Sequence, residues 1–199
     1  MGYSRGLGCN SNFAPDVNPM TAGKKFSSEP LLRIGKVEPM HRILVSACLA
    51  GEPLRYDGSD ALIADSRFLQ WQSEGRLIAV CPEVSGGLSV PRIPAEIVSG
   101  DGDAVLAADC RVVNVMGTDV TAAFLAGAER ALSLCQQYGI TIALLTEFSP
   151  SCGISQINDG SFSRTRVAGT GVTAALLRQN GIAVFNQFQL DEIEALLKR

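Results

Sequence analysis

Cysteine side chains are the residues of this sequence best suited to chemistry, because three of them stand in the same local setting. Each lies at or just after the end of an apolar run, and these three are Cys48, Cys81 and Cys152. Such runs are typical of buried strands, and ligands of open α/β sheets bind beyond the carboxyl ends of the strands. We therefore expect three thiols that are far apart in the sequence to meet at one edge of a sheet.

Three converging thiolates favour zinc or an iron-sulfur cluster, since soft sulfur ligands select these metals. A closed structural zinc site needs a fourth ligand, and the only histidine, His41, lies at the opposite end of the first predicted strand from Cys48. The sequence has no Cys-x-x-Cys pair either. A cubane cluster held by three cysteines keeps one iron open, as a catalyst requires. For each cysteine alone, the alternative is a free thiol packed as a small hydrophobic residue.

Composition narrows the class of protein. With 199 residues, of which 46% are hydrophobic, the chain can bury one substantial core. A net charge of −3 argues against a protein that binds nucleic acid by neutralising phosphates. No apolar stretch is long enough to span a membrane and the N-terminus lacks the apolar segment of a signal peptide, so we expect a cytoplasmic protein without membrane partners. In that reducing compartment six scattered cysteines are not a disulfide framework.

The elements that must position the thiols can be predicted along the chain. Residues 1–39 are rich in Gly, Ser, Asn and Pro and are expected to form a flexible tail, leaving 40–199 as a single α/β catalytic domain. The predicted strands are Arg42–Ala47, Arg76–Val80, Ile140–Leu145 and Ile182–Phe185, and the predicted helices cover Phe68–Glu74, Asp119–Tyr138, Ala174–Gln179 and a closing segment with Leu190, Ile193, Leu196 and Leu197. This alternation predicts a mainly parallel sheet flanked by helices, a Rossmann-like arrangement.

The middle of the chain is harder to interpret. Glycines and prolines in 84–96 predict a long irregular loop, and 104–115 is predicted to be a hairpin that carries Cys110. Cys135 recurs with apolar residues at helical spacing and is most simply a core residue. Gly169 and Gly171 precede a helix, where backbone N–H groups can hold an anion, although a capping turn is the alternative.

Several polar residues are candidates for a substrate pocket. Tyr56 and Asp57 lie in the loop after the first strand, where they either line a pocket or cap a turn. Arg92 and Glu96 belong to the long segment rich in glycine and proline, and Ser151 directly precedes Cys152. Long ordered loops in compact domains are usually functional, which is why these side chains are included.

Five segments between residues 42 and 185 also resemble one known family. They read VSACLAGEPLRYDG, CPEVSGGLSVPRIPAEI, GTDVTAAFLAGAERAL, LLTEFSPSCGISQINDGSFS and GTGVTAALLRQNGIAVF. Their types and spacing are similar to the bacterial family once called domain of unknown function 523, which includes thiouracil desulfurase. The resemblance implies a 4Fe-4S cluster held by three cysteines, which fall here on Cys48, Cys81 and Cys152, and removal of sulfur from a thiolated base without net redox change.

The resemblance also implies roles for two further residues. The acid-base glutamate of the CPE motif would be Glu83, and the serine of the SPSCG motif would be Ser149. Two positions depart from the family pattern: Thr146 and Phe148 stand where relatives usually carry Lys and a polar or basic residue. Because these positions border the implied site, the departures bear on the identity of the substrate more than on cluster binding.

Two functions of different classes follow. The first is a hydrolase-type desulfurase that uses an open-site 4Fe-4S cluster on a thiolated pyrimidine or a similar small thioamide. The second is a small-molecule or anion-binding module, in which the turn at 169–171 holds the anion and the cysteines are structural. The colour of anaerobically purified protein separates them, because only the first predicts a brown protein.

Overall fold

Four parallel strands form the centre of the computed structural model of the chain, which describes residues 40–198. The strands of the described residues are β1 (Ile43–Ser46), β2 (Leu77–Val80), β3 (Ala95–Val98), β4 (Arg111–Asn114), β5 (Ile142–Leu145), β6 (Gln156–Asn158), β7 (Arg166–Ala168) and β8 (Ala183–Asn186). The central sheet has the order β2-β1-β5-β8, and all neighbouring pairs are parallel. Each of the four predicted strands is present, so the predicted mainly parallel sheet is confirmed.

Helices cover both faces of this sheet. They are α1 (Ser66–Ser73), α2 (Pro82–Ser85), α3 (Gly102–Leu106), α4 (Thr121–Tyr138), α5 (Val172–Gln179) and α6 (Leu190–Leu197), and a short 3-10 helix spans Ala47–Ala50. Alternate residues of β1 point to opposite faces: Leu44 packs with residues of α4 and α5, whereas Ile43 and Val45 pack with residues of α1 and α6. The apolar run of β1 is buried throughout because it has helices on both sides.

The segment from β2 to the start of α4 differs from the sequence prediction in three ways. Residues 104–115 are not a hairpin, because their first part is helix α3 and β4 pairs instead with β3, antiparallel. The predicted irregular loop at 84–96 is shorter than predicted, because α2 covers its first two residues and β3 its last two. Helix α2 starts at Pro82, and proline is tolerated at the first position of a helix. Helix α4 begins at Thr121, two residues after the predicted Asp119, since Asp119 still bridges to Val113.

Glycines allow two helices to support the turns that follow β2 and β5. A Cβ atom on Gly127 of α4 would lie 2.0 Å from the carbonyl oxygen of Pro82, and one on Gly86 would lie 1.9 Å from the carbonyl oxygen of Ala123. A Cβ atom on Gly171 would lie 2.4 Å from the carbonyl oxygen of Ser151. Backbone therefore packs directly on backbone, and the two turns are held against α4 and α5 with no room to move inward.

The prediction of a flexible tail at 1–39 lies outside the described residues. Among residues 40–198, none of the helices combines the length and the apolar character that crossing a membrane requires. The two remaining short strands, β6 and β7, form an antiparallel hairpin after the β5 turn.

Candidate functional site

The three thiols singled out in the sequence line one cavity of about 280 Å³. Cys48 lies in the 3-10 helix that follows β1, and Cys81 occupies the N-cap of α2 directly after β2. Cys152 lies in the turn after β5, which is closed by a 2.8 Å hydrogen bond from the Gly153 N–H to the Ser149 carbonyl. Since β2, β1 and β5 are neighbours in the sheet, their carboxyl ends deliver the three thiols to the same place.

The spacing of these thiols has a chemical consequence. Within the part of the chain that the structure describes, no three His, Cys, Asp or Glu side chains approach closely enough to hold one metal ion. A mononuclear zinc site requires its sulfur ligands to converge on a single point. In a polynuclear cluster each thiolate binds a different iron, so the ligands stand apart around a cavity. Three thiols around one cavity are a donor set that fits an iron-sulfur cluster.

Burial also shifts the pKa of two of these thiols. Burial raises the pKa of the Cys152 thiol, and burial also raises the pKa of the Cys81 thiol. A buried thiol with a raised pKa is a poor nucleophile at neutral pH. The raised pKa therefore argues against direct attack of these thiols on a substrate, and a metal that binds them has to displace their protons.

A carboxylate and a hydroxyl join the thiols at the cavity. Glu83 Oε2 accepts a 2.6 Å hydrogen bond from Arg92 Nε, and Ser149 Oγ lies 3.4 Å from Glu83 Oε1. Ser149 Oγ accepts hydrogen bonds from the N–H groups of Ser151 and Cys152, at 3.1 and 3.2 Å, so its own proton is directed to Glu83. Both side chains line the same cavity as the thiols.

Arg92 holds this carboxylate in place. Its side chain is only 7% exposed, and its Nη1 donates to the carbonyl oxygens of Leu54 and Ser89 at 3.1 and 3.4 Å. A larger neighbouring cavity of about 490 Å³ shares Glu83 and Arg92 with the first but is lined by none of the three thiols. We therefore take the smaller cavity as the candidate site and name it the cysteine cavity.

The five predicted pocket residues divide into two groups. Tyr56 and Arg92 line the cysteine cavity, whereas Asp57, Glu96 and Ser151 do not. The Asp57 carboxylate closes its own turn by accepting from the N–H and the hydroxyl of Ser59. This is the turn-capping alternative of the sequence analysis.

The other two excluded residues are engaged elsewhere in the fold. Glu96 lies on β3 and accepts a 3.0 Å hydrogen bond from the Phe162 N–H. Ser151 is fully buried, and its hydroxyl lies 2.8 Å from the hydroxyl of Thr173. The structure thus places both side chains outside the cysteine cavity, since sequence proximity to a motif does not determine which way a side chain points.

Glu147 is a buried residue that sequence reasoning missed. Its carboxylate is almost inaccessible and accepts hydrogen bonds from the backbone N–H groups of Ile154, Ser155 and Gln156 and from the Asn186 side chain. Burial alone would raise the pKa of Glu147, but these donors outweigh it and the pKa lies below its ordinary value. A sequence signal for Glu147 was available, because a charged residue so soon after a buried apolar strand is unusual and needs partners. The carboxylate ties the turn that carries Cys152 to the end of β8.

One wall of the cysteine cavity is a stacked pair. The guanidinium carbon of Arg166 lies 3.5 Å from the centre of the Phe148 ring, and both residues line the cavity. Phe148 has a φ of 70°, a left-handed conformation that is costly for an aromatic residue. The pairing joins the β5 turn to the β6–β7 hairpin where Arg166 is exposed, and we call this part of the cavity its mouth. The departure from the family pattern at position 148 was the one sequence signal for this contact.

The turn at 169–171 uses its hydrogen-bond donors within the fold. The N–H of Gly169 donates to Ser155 O, that of Gly171 to Gly153 O, and those of Val172 and Thr173 to Pro150 O and Ser151 O. An anion at this helix N-terminus would need the same N–H groups. These N–H groups are therefore not free to bind an anion, which argues against the anion-binding alternative. The start of α5 holds the turn that carries Cys152 instead.

The chain is similar to a family model and to two known proteins. A family model described as 2-thiouracil desulfurase matches residues 43–189. The uncharacterized protein YbbK of Bacillus subtilis (strain 168) is 41% identical over 151 residues, which cover 76% of this chain and 99% of that relative. A solved structure of the [4Fe-4S]-dependent thiouracil desulfidase TudS superposes with a TM-score of 0.73 at 47% identity, covering 79% of this chain and 98% of the other.

Proposed function

The chain belongs to the 2-thiouracil desulfurase family, and we propose that it replaces the thiocarbonyl sulfur of a thiolated pyrimidine by oxygen at a 4Fe-4S cluster. The proposed cluster ligands are Cys48, Cys81 and Cys152. The observation that carries the proposal is that these thiols share one cavity with the Glu83–Ser149 pair. A similar solved protein is described as [4Fe-4S]-dependent, which supports the choice of cofactor.

The proposed reaction is a hydrolysis. Water supplies the oxygen that replaces sulfur at the ring carbon, the carbon–sulfur bond breaks, and sulfide leaves, so no electrons are gained or lost. When bound through three thiolates, a 4Fe-4S cluster supplies one open iron that can accept a soft sulfur atom. All proton movements then fall to side chains of the cavity.

Glu83 is the proposed base. One of its oxygens pairs with Arg92, which fixes the carboxylate, and the other lies beside Ser149 and faces the cavity. A positioned carboxylate can take a proton from the attacking water and return it to the departing sulfur. Because Glu83 lies two residues after Cys81, α2 holds the base and the ligand in one fixed relation.

Ser149 orients the substrate or the water in this proposal. Two backbone N–H groups donate to its oxygen, so its hydroxyl proton is available to one acceptor only. Glu83 Oε1 is that acceptor here, and a ring carbonyl or a water molecule can replace it when substrate enters. The thiocarbonyl group itself would enter through the mouth formed by Phe148 and Arg166.

Anaerobic reconstitution tests the proposal. Protein treated with iron and sulfide should become brown and bind close to four irons per chain, as a 4Fe-4S cluster requires. It should then convert 2-thiouracil to uracil with one sulfide released per uracil. A control with serine at all three cysteine positions should stay colourless and inactive. A colourless parent protein, or a brown one without turnover of any thiolated pyrimidine, would refute the proposal.

A further inference from the structure

Two buried hydroxyl groups approach two of the three thiols. Thr146 Oγ1 lies 2.9 Å from Cys48 Sγ, and Ser46 Oγ lies 3.4 Å from Cys152 Sγ. Ser46 and Thr146 are 2% and 8% exposed. They stand at the ends of the neighbouring strands β1 and β5, so the sheet itself fixes both hydroxyls against the sulfur atoms.

The direction of these hydrogen bonds follows from the surrounding donors. The Thr146 N–H donates to Ser46 Oγ at 3.0 Å, which leaves the Ser46 proton for Cys152 Sγ. Thr146 Oγ1 has Cys48 Sγ as its partner, and a thiolate accepts hydrogen bonds only. Once the two cysteines are deprotonated as ligands, each therefore receives one hydroxyl donor.

The third thiol has a different environment. Cys81 Sγ lies 3.7 Å from the carbonyl oxygen of Leu54, which is itself an acceptor. Within residues 40–198 no side-chain hydroxyl contacts this sulfur. The hydroxyl donors thus lie on the β1–β5 side of the cavity, whereas the donor near Cys81 is the backbone N–H of Val84.

We propose that Ser46 and Thr146 are tuning residues that raise the reduction potential of the cluster by donating hydrogen bonds to its Cys152 and Cys48 ligands. This rests on the proposed function, since it requires the cluster. Reduction adds negative charge that is shared with the sulfur ligands, and a hydroxyl donor stabilises that charge. In the buried surroundings of Ser46 and Thr146 the effect of each donor is greater than it would be in water.

The experiment is a redox titration of the reconstituted protein followed by electron paramagnetic resonance. Thr146→Val removes one hydroxyl and keeps the shape of the side chain, and it should shift the midpoint potential to more negative values. Ser46→Ala should shift it in the same direction by less, because its contact is longer. Thr146→Ser keeps a hydroxyl and should restore the parent potential. These potentials are read without any turnover.

Thr173→Val is the matched control. Thr173 is also fully buried, and its hydroxyl partner is Ser151 rather than a thiol. The cluster of the Thr173→Val variant should have the same midpoint potential as that of the parent protein. The proposal is overturned if Thr146→Val has the parent potential, or if Thr146→Ser shifts as far as Thr146→Val. A parent protein that binds no iron refutes the proposed function as well, whereas a loaded, active parent with unshifted variants refutes this inference alone.

Discussion

Cys135 and Cys152 pack in the same hydrophobic cluster next to the central sheet, yet only Cys152 borders the cysteine cavity. They are 1% and 5% exposed. Burial raises the pKa of Cys135 to about 11, and burial raises the pKa of Cys152 too. Cys152 differs in having a hydroxyl partner, Ser46, and two other thiols around a shared space. Burial and pKa therefore do not distinguish a candidate ligand from a core residue; polar partners and a common cavity do.

The largest expected effect tests this comparison directly. Cys152→Ala should abolish cluster binding, because two thiolates cannot hold the cubane well, and Cys48→Ala and Cys81→Ala should do the same. Cys135→Ala should lower stability by leaving a small cavity but keep its iron. Iron and acid-labile sulfide per chain are the measurements. Full iron content in the Cys152→Ala variant would show that Cys152 is not a cluster ligand. Cys110→Ala serves as a second control at a buried cysteine and should keep its iron.

A second comparison concerns two carboxylates at the site. Glu83 faces the cavity with one oxygen, whereas Glu147 is enclosed by hydrogen-bond donors. Glu83→Gln and Ser149→Ala should keep the cluster and lose turnover, with Glu83→Gln the worse, by about 10²- to 10⁴-fold in kcat. Glu96→Gln, a change in a buried carboxylate outside the cavity, should retain turnover. Loss of iron in Glu83→Gln would show that the carboxylate is a ligand or a structural support instead.

Glu147→Gln should affect stability in place of turnover. One amide oxygen cannot replace the carboxylate, and we expect a loss of about 1–3 kcal/mol in the free energy of unfolding at pH 7. Because the pKa of Glu147 is lowered in the folded state, its contribution is complete above its ordinary pKa of 4.5 and declines as the pH falls below it. Denaturant unfolding should therefore show the gap between parent and variant closing in acid.

The exposed Glu192→Gln provides the baseline for that measurement, since it removes the same charge from the first turn of α6. A gap that stays constant from pH 7 to pH 4 would mean that the Glu147 charge is not what stabilises the β5 turn.

Much of this architecture could be predicted from the sequence. The features that could be predicted depend on local patterns, whereas those that could not depend on tertiary contacts. The four parallel strands lie in short apolar runs, a local signal that can be recognised without knowledge of the fold. The pairing of β3 with β4 could not be predicted, because the partner of a strand is a tertiary choice. Ser46 and Cys152 are 106 residues apart in the sequence and meet only because β1 and β5 are neighbours in the sheet. No local sequence pattern could predict this contact.

The smallest expected effect concerns the cavity mouth. Arg166→Ala removes the guanidinium from the Phe148 ring, and exposed cation-π pairs contribute about 0.5–1 kcal/mol. If this pair forms the wall against which substrate binds, KM for 2-thiouracil should rise about two- to fivefold while kcat is unchanged. Arg164→Ala, a neighbouring exposed arginine, should change neither constant. A fall in kcat for Arg166→Ala would assign Arg166 a part in the chemical step.

The order of strands in the sheet governs when the site can exist during synthesis of the chain. During synthesis β1 leaves the ribosome before its neighbour β5. Ser46 and Thr146 are in contact in the folded protein, but they are 100 residues apart in the sequence. Pairing between such distant segments slows folding, since the chain entropy of a long loop is lost before the contact forms. The three thiols therefore stay apart in the nascent chain until β5 has paired with β1. If the three cysteines bind the cluster as proposed, its insertion is complete only after β5 has paired with β1, and the bound cluster then stabilises the association of β2, β1 and β5.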